Sequence, residues 1–468
     1  MFSTTAFKIG LPVALNYLSK DPEKNIPKLM SWVDKIAGDN PNSFPVQRAY
    51  IRDVINNPDS NWYKLIMRIF HETDNDVMKT FFTNFILNTN MIGWQTQEKY
   101  RKKYNCNIPW AILLDPTSAC NKHCVGCWAA EYGHKLNLSY EDICSIIDQG
   151  RELGTYLYIY TGGEPMVRKK DLIRLCEKYK DCVFLSFTNG SLIDEEFAND
   201  MLRVKNFVPA ISVEGTKESH DGRRGEGSFA EVERAMKLLK DKKLPFGIST
   251  CYTKANVDVV GSSEFLDDLI ERGADFIWYF HYMPVGMDST ADLLPTPEQR
   301  EFMFNQIRKF RSEKSIFMMD FQNDGQYVGG CIAGGRRYLH INANGDVDPC
   351  VFIHYSNCNI HKQTLLECLR SPLFQAYHDN QPFNENHLRP CPMLENPERI
   401  VKLVKETGAH STDPQAPESA EHLTSKTVPY AENWKPTAER LWSGEMAKKE
   451  QRDKKRQEMM NAKVKEVK

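Results

Sequence analysis

The sequence predicts an α/β protein: a partial (β/α)6 barrel, preceded by a helical N-terminal domain and followed by a small C-terminal domain. Three observations carry this. From about Trp110 onward, short apolar strands alternate with amphipathic helices six times. The unusual polar motifs fall directly after those strands, on the face where such barrels collect function. Residues 1 to 108 show helical periodicity and no strand-like run.

The N-terminal domain, 1–108, carries Trp62, Leu65, Ile66, Ile69 and Phe70 at spacings of three and four, then Phe81, Phe82 and Phe85 to Ile86. Periodicity of this kind assigns them to core packing rather than to a ligand pocket. The barrel, 109–320, has expected strands Ala111 to Asp115, Tyr156 to Tyr160, Val183 to Thr188, Val208 to Val213, Phe246 to Thr250 and Phe276 to Phe280. Expected helices between them include Tyr140 to Leu153, Lys169 to Tyr179, Phe229 to Lys240 and Ser263 to Arg272. A third unit spans 321–410, and 411–468 reads as a linker, STDPQAPESAEHL, followed by a charged helix whose charges face solvent.

At 468 residues and 41% hydrophobic content the chain has room for two or three compact units. Sixty basic against sixty-two acidic residues, a net charge of -2, argue against nucleic acid as a partner. The apolar stretch Ile9 to Leu18 is interrupted by Pro12 and Asn16 and lacks a basic n-region, so it does not read as a signal peptide. No apolar run reaches the roughly 18–20 residues that span a bilayer. The expected compartment is the cytoplasm, where clustered cysteines serve as ligands more often than as disulfides.

Thirteen cysteines are present, and three of them, Cys120, Cys124 and Cys127, lie within PTSACNKHCVGCWAAEYGH after the first strand. A structural zinc site closes with four protein ligands, so three thiols imply either a remote fourth partner or a centre with one open position. TGGEP, Thr161 to Pro165, follows the second strand, TNGS, Thr188 to Ser191, follows the third, and Glu214 and Gly215 close the fourth. Four loops on one face mark it as the active site.

The run CNKHCVGCW, a CxxxCxxC motif followed by an aromatic, together with GGEP at the next strand end, resembles the radical S-adenosylmethionine (SAM) superfamily over about residues 110 to 285. The resemblance implies that the three thiolates hold a [4Fe-4S] cluster whose fourth iron binds the amino and carboxylate groups of SAM's methionine portion. A reduced cluster then cleaves SAM to a 5′-deoxyadenosyl radical, which takes hydrogen from substrate. His123 and His134 become neighbours of the cluster rather than closing ligands. By the same resemblance Gly162, Gly163 and Glu164 meet the methionine ammonium, Trp128 packs near adenine, and Asn189, Ser212 and Glu214 contact the ribose and methionine parts. SHDGRRGEGSF resembles a segment of peptide-modifying members, in which Arg224 pairs with the SAM carboxylate.

A second cysteine grouping, Cys331 and Cys350 in CIAGGRRYLHINANGDVDPC and then Cys391 in RPCPMLENPE, resembles the SPASM extension of such enzymes, in its shorter twitch form. That implies one auxiliary [4Fe-4S] cluster held by Cys331, Cys350 and Cys391, with the part of Cys358 left open. YLHIN, NANG and VDPCVF predict a β-hairpin that brings Cys331 and Cys350 to one end. Cys144, Cys176 and Cys251 read as small buried hydrophobes, and Cys106 and Cys182 show no metal spacing. Asp320 and Asp324 are candidate acid–base groups, with Asp324 the nominee.

The expected activity is radical C–H activation on a peptide or protein substrate during maturation, with an electron donor such as flavodoxin or ferredoxin. The alternative is a lipid or small-metabolite substrate, motivated by the helical domain and by ends that could rest on a membrane periphery. A non-catalytic zinc-binding protein explains the thiols but not GGEP and TNG on the same face.

Overall fold

The computed structural model describes residues 4–37, 45–129, 133, 135–286 and 289–466. Its centre is one sheet of strands β1 (Ala111–Leu114), β2 (Leu157–Tyr160), β3 (Val183–Thr188), β4 (Phe207–Ser212), β5 (Gly247–Tyr252), β6 (Phe276–His281), β7 (Phe317–Asp320), β8 (Tyr338–Ile341) and β9 (Val347–Asp348). The order is β7-β6-β5-β4-β3-β2-β1-β8-β9, with β1 to β8 parallel and β9 antiparallel to β8. Six of these strands fall where the sequence predicts them. Helices such as Tyr140–Leu153, Lys169–Lys178 and Ser228–Asp241 cover the outer face, each turning a stripe of Ile, Leu or Met into the core. Capping is explicit: Ser139 and Asp142 form a reciprocal box at the start of Tyr140–Leu153.

Two parts of the sheet differ from expectation. FMMD adds a seventh parallel strand at one edge. The hairpin of the third unit forms as predicted, but its first strand joins the barrel sheet, pairing Ala111 with Tyr338 and Leu114 with Ile341. At this seam His340, fully buried, places Nε2 3.0 Å from Asp115 and Nδ1 3.5 Å from Asp348. Burial opposes the imidazolium, but Asp115 and then Asp348 outweigh it and raise the pKa to about 9. Because a histidine raised above its ordinary 6.5 stabilises the fold while protonated, that contribution is fully present below pH 6.5 and lost as pH rises through about 9. Thermal unfolding is expected to show a loss on the order of 2 kcal/mol between pH 7 and pH 10, which His340→Gln removes.

The N-terminal helices stand beneath the strands' N-terminal ends. A wide π-type helix, Thr83–Gly93, follows Asn75–Phe82 and docks through polar side chains. Asn84 Nδ2 donates to the carbonyls of Lys180 (2.8 Å) and Cys182 (3.1 Å), and Gln97 donates to that of Gly154 (2.8 Å). These bonds satisfy carbonyls just before β3 and β2, and so seat the helical region as a plug.

The expected linker and solvated tail are replaced by packed structure. Ala420, Leu423, Tyr430, Trp434 and Ala438 are buried, the last three on the helix Val428–Glu466. Their spacing of three to four residues explains it: the apolar stripe runs out only after Leu441 and Trp442, and the charged remainder through 454 is mostly exposed. Under this helix Arg300 and Glu395, both without solvent exposure, pair at 2.7 Å. Trp434 covers the guanidinium at 4.3 Å, and Asn323 and Tyr430 accept its other N–H groups.

Candidate functional site

The loops after β1 to β4 meet at one mouth. The cysteine loop leaves β1 and is held by backbone bonds to the GGEP segment: Gly163 N–H donates to Thr117 O (3.1 Å) and Glu164 N–H to Ala119 O (2.8 Å). A Cβ on Gly163 would come 2.2 Å from Ala119 O, and one on Gly162, at φ +101°, would come 2.7 Å from Asp115. These glycines are required by the loop's own packing, before any cofactor is considered. Gly163→Ala is therefore expected to unseat the cysteine loop, with several-fold lower iron per chain after anaerobic reconstitution and a lower melting temperature.

Glu164 is 1% exposed and fully engaged. Oε1 accepts from Met166 N–H (3.0 Å) and Thr188 Oγ1 (2.7 Å), and Oε2 accepts from Asn189 N–H (2.7 Å). Burial still pushes its pKa up, because those bonds do not replace water completely. Asn189 reaches back to the cysteine loop through Asn121 at 2.8 Å. Ser212 ends β4 on the cavity wall.

Glu214 and Arg224, nominated separately, are an ion pair: Nε donates at 2.9 Å and Nη2 at 2.5 Å to Glu214 Oε1. Arg223 lies 2.9 Å from the same oxygen. Burial disfavours the carboxylate, but the two guanidiniums outweigh it and hold Glu214 below the usual range. Arg224 Nη1 also sits 3.9 Å from Cys124 Sγ. Sequence reasoning missed Arg223, although the RR dipeptide at the end of helix Lys217–Arg224 carried the signal.

Burial pushes the Cys120 thiol up to about 12, with Glu164 and then Cys127 and Cys124 adding to the shift, and it raises Cys127, where Cys124 adds. A neighbouring cation favours the thiolate form of such thiols, and soft thiolates suit the irons of a cluster. The donor set fits that group. Trp128 packs edge-on to His340 (5.7 Å) and Phe352 (6.3 Å) of the third unit while lining the cavity. His134 lies outside the described residues.

The sheet packs a hydrophobic core on each face, one with Ile112 and Tyr158 and one with Leu113 and Ile159; Cys331, Cys350 and Cys391 belong to the latter, flanked by Tyr338 and Tyr377. Tyr338 Oη lies 2.7 Å from Cys350 Sγ, and the N–H groups of Met393 and Leu394 donate to Cys391 Sγ at 3.4 Å. Burial pushes Cys331 up to about 11, Cys350 to about 12 and Cys391 well above its ordinary value, and the Cys331 charge adds to the shift at the other two. This donor set fits a cluster for the same reason as the first. Cys358 belongs instead to the other core, beside Cys368 and Leu365, with Ser356 Oγ at 3.7 Å.

Asp324 does not line the cavity. Its Oδ1 accepts from Arg311 at 2.8 Å and its Oδ2 from Asp320 N–H at 2.8 Å, which makes it a positioning residue at the start of the turn after β7 rather than an acid–base group facing substrate. Asp320 is buried behind it, and burial raises its pKa to about 6. A residue the sequence did not nominate does reach the cavity: His281 at the end of β6, whose Nε2 lies 2.6 Å from Tyr430 Oη and whose Nδ1 lies 2.6 Å from Tyr282 O.

Below the mouth the barrel encloses a cavity of about 840 Å³ that runs from the cysteine loop to the N-terminal plug. Trp62, Leu65, Ile66, Ile69, Phe81 and Phe85 line its lower end. Periodicity assigns these residues to core packing; Leu65, Ile66, Phe81 and Phe85 do pack into apolar cores, and all six also border the cavity.

Residues 114–261 match the family model of the Radical SAM superfamily, and residues 331–393 match that of SPASM, an iron-sulfur cluster-binding domain. The chain is 26% identical over 230 residues to the Fe-coproporphyrin III synthase of Methanosarcina barkeri, covering 46% of this chain and 57% of that protein. It is 26% identical over 293 residues to the AdoMet-dependent heme synthase of Nitratidesulfovibrio vulgaris, covering 55% and 78%. It is 25% identical over 255 residues to the PqqA peptide cyclase of Granulibacter bethesdensis, covering 52% and 67%. Among solved structures, Streptococcus suis SuiB bound to S-adenosylmethionine superposes with a TM-score of 0.53 at 18% identity, over 64% of this chain and 76% of that one. That likeness is one of fold.

Proposed function

From a chain that belongs to the radical SAM superfamily and carries an iron-sulfur cluster-binding SPASM domain, we propose an enzyme that cleaves S-adenosylmethionine and activates a substrate C–H bond. The observation that carries it is the trio Cys120, Cys124 and Cys127 at the mouth of a cavity walled by GGEP, Asn189, Ser212 and Arg224. The trio would hold a [4Fe-4S] cluster with SAM on its open iron, and Cys331, Cys350 and Cys391 would hold an auxiliary cluster. When bound and reduced, the first cluster supplies one electron to the SAM sulfonium and so a 5′-deoxyadenosyl radical for hydrogen abstraction.

The chain's own residues bind, orient and shield. Glu164 is held in place by three hydrogen bonds, and the remaining acceptor capacity of its carboxylate would serve the SAM ammonium. Arg223 and Arg224, aligned by Glu214, bring cationic N–H groups beside Cys124 and toward a carboxylate. The apolar wall below the mouth offers few polar partners to water.

For the substrate, the relatives named peptide cyclase support peptide or protein maturation, and those named heme synthase support a small molecule. The apolar cavity favours a second reading, a lipid. A one-electron donor such as flavodoxin or ferredoxin would feed the cluster. Among the described residues no helix is long and apolar enough to cross a membrane. Cysteines serving as cluster ligands rather than in disulfides suit a reducing compartment, the cytoplasm. Anaerobic reconstitution with iron and sulfide, then SAM and dithionite, is expected to release 5′-deoxyadenosine. A colourless protein with stoichiometric zinc and no deoxyadenosine would sink the proposal.

A further inference from the structure

Barrels of alternating strands and helices ordinarily fill their interior with side chains. In this one the interior is open along the full length of the strands. The first residues of β1, β2 and β3, Ala111, Leu157 and Val183, line the same cavity as Thr161, Thr188 and Ser212 at the other ends. Between those levels the wall is Leu113, Ile159, Leu185, Trp278 and Met319.

The polar groups are distributed unevenly. Lys122, Glu164, Arg223 and Arg224 belong to the mouth. In the lower half the charged residues of the wall are Asp275 and Arg337, and each is already engaged: Asp275 lies 3.7 Å from Arg68, and Arg337 stacks over Trp94 at 4.7 Å. A peptide threaded here would bring amide groups past aliphatic and aromatic carbon, each losing its water without a replacement. A hydrocarbon chain loses nothing polar and gains burial along its whole length. Phe317, the first residue of edge strand β7, lines the cavity and is 44% exposed, with the Trp62 ring 6.3 Å away. The two rings add aromatic carbon to the lower wall of the chamber.

We propose that the chamber between the N-terminal plug and the SAM site binds a lipid hydrocarbon chain, with one end of the chain held below the cysteine loop. This rests on the radical reading of the mouth for what happens to the chain, and on the chamber alone for its binding.

The test uses the full-length, anaerobically reconstituted protein, with radiolabelled palmitate as the free chain and dipalmitoyl-phosphatidylglycerol as a chain bearing a headgroup. Saturable binding of either supports the proposal, and the tighter of the two identifies the source. Val183→Trp, placed at the bottom of the chamber, is expected to weaken palmitate binding at least tenfold while octanoate binds as in the parent protein. A shift in chain-length preference is not produced by misfolding, and cluster absorbance checks loading independently. Absence of saturable binding of both probes, or equal loss of palmitate and octanoate in the variant, would overturn the chamber. Deoxyadenosine release without added lipid, measured on the same preparation, tests the radical reading separately.

Discussion

Cys127→Ser is expected to reduce 5′-deoxyadenosine release to the level of a protein-free blank while leaving the auxiliary thiols able to load. Of the three thiols on the loop it sits where conservative replacement is least forgiving. It is half-buried, its backbone N–H is bonded to Cys124 O at 3.3 Å, and Arg223 and Arg224 face it. Serine keeps the shape of the loop, so the change isolates the sulfur. A hydroxyl has too high a pKa and is too hard a donor to replace a thiolate at iron. Iron per chain should fall by one cluster's share, with the remainder held at Cys331, Cys350 and Cys391. Cys350→Ser is the counterpart: deoxyadenosine release persists and the iron lost belongs to the other centre. Equal deoxyadenosine release from the parent and Cys127→Ser would remove the trio from the chemistry.

The second large effect is on stability. Arg300→Met is expected to destabilise the protein by about 3–5 kcal/mol, because it leaves Glu395 charged and unpaired in the interior. Arg300 does more than pair with Glu395: it joins Asn323 after β7, Tyr430 on the last helix and Trp434 above it. Glu395 in turn accepts from Cys391 N–H at 2.8 Å, so one ion pair links barrel, auxiliary unit and C-terminal helix. Replacing both members, Arg300→Met with Glu395→Leu, should recover most of the loss, since no isolated charge remains. Denaturant unfolding followed by circular dichroism and tryptophan fluorescence reads both variants. A single variant within about 1 kcal/mol of the parent would contradict the assignment.

Local pattern made the barrel legible. VFLSFT is short, β-branched and aromatic, and it forms β3 over the residues expected. The cysteine loop and GGEP were legible for the same reason, since each is a contiguous motif at a strand end. What stayed hidden depends on partners far away in sequence. Nothing in YLHI announces that it pairs with AILL more than 200 residues earlier, and that pairing turns an expected separate hairpin into part of the sheet. Tyr430 and Trp434 sit in a charged segment whose few apolar residues look incidental until Arg300 needs cover. Trp62 and Phe81 fall on helices as expected and pack against other rings, but periodicity does not reveal that they also border a cavity.

The pairing of β1 with β8 has a consequence for electron exchange. β1 delivers the chain into Cys120, Cys124 and Cys127, while Cys331 precedes β8 and Cys350 follows its hairpin partner. Four residue pairs in register, pinned by buried His340 against Asp115, join the two groups through adjacent strands of one sheet. Tunnelling rates fall exponentially with distance, so a pair of redox centres mounted on a hinge would have a rate that fluctuates with every domain motion. Centres mounted on neighbouring hydrogen-bonded strands keep one spacing for as long as the sheet is folded. If both cysteine groups hold clusters, the seam would fix the distance term of any exchange between them, and substitutions that tilt or break it would change that term.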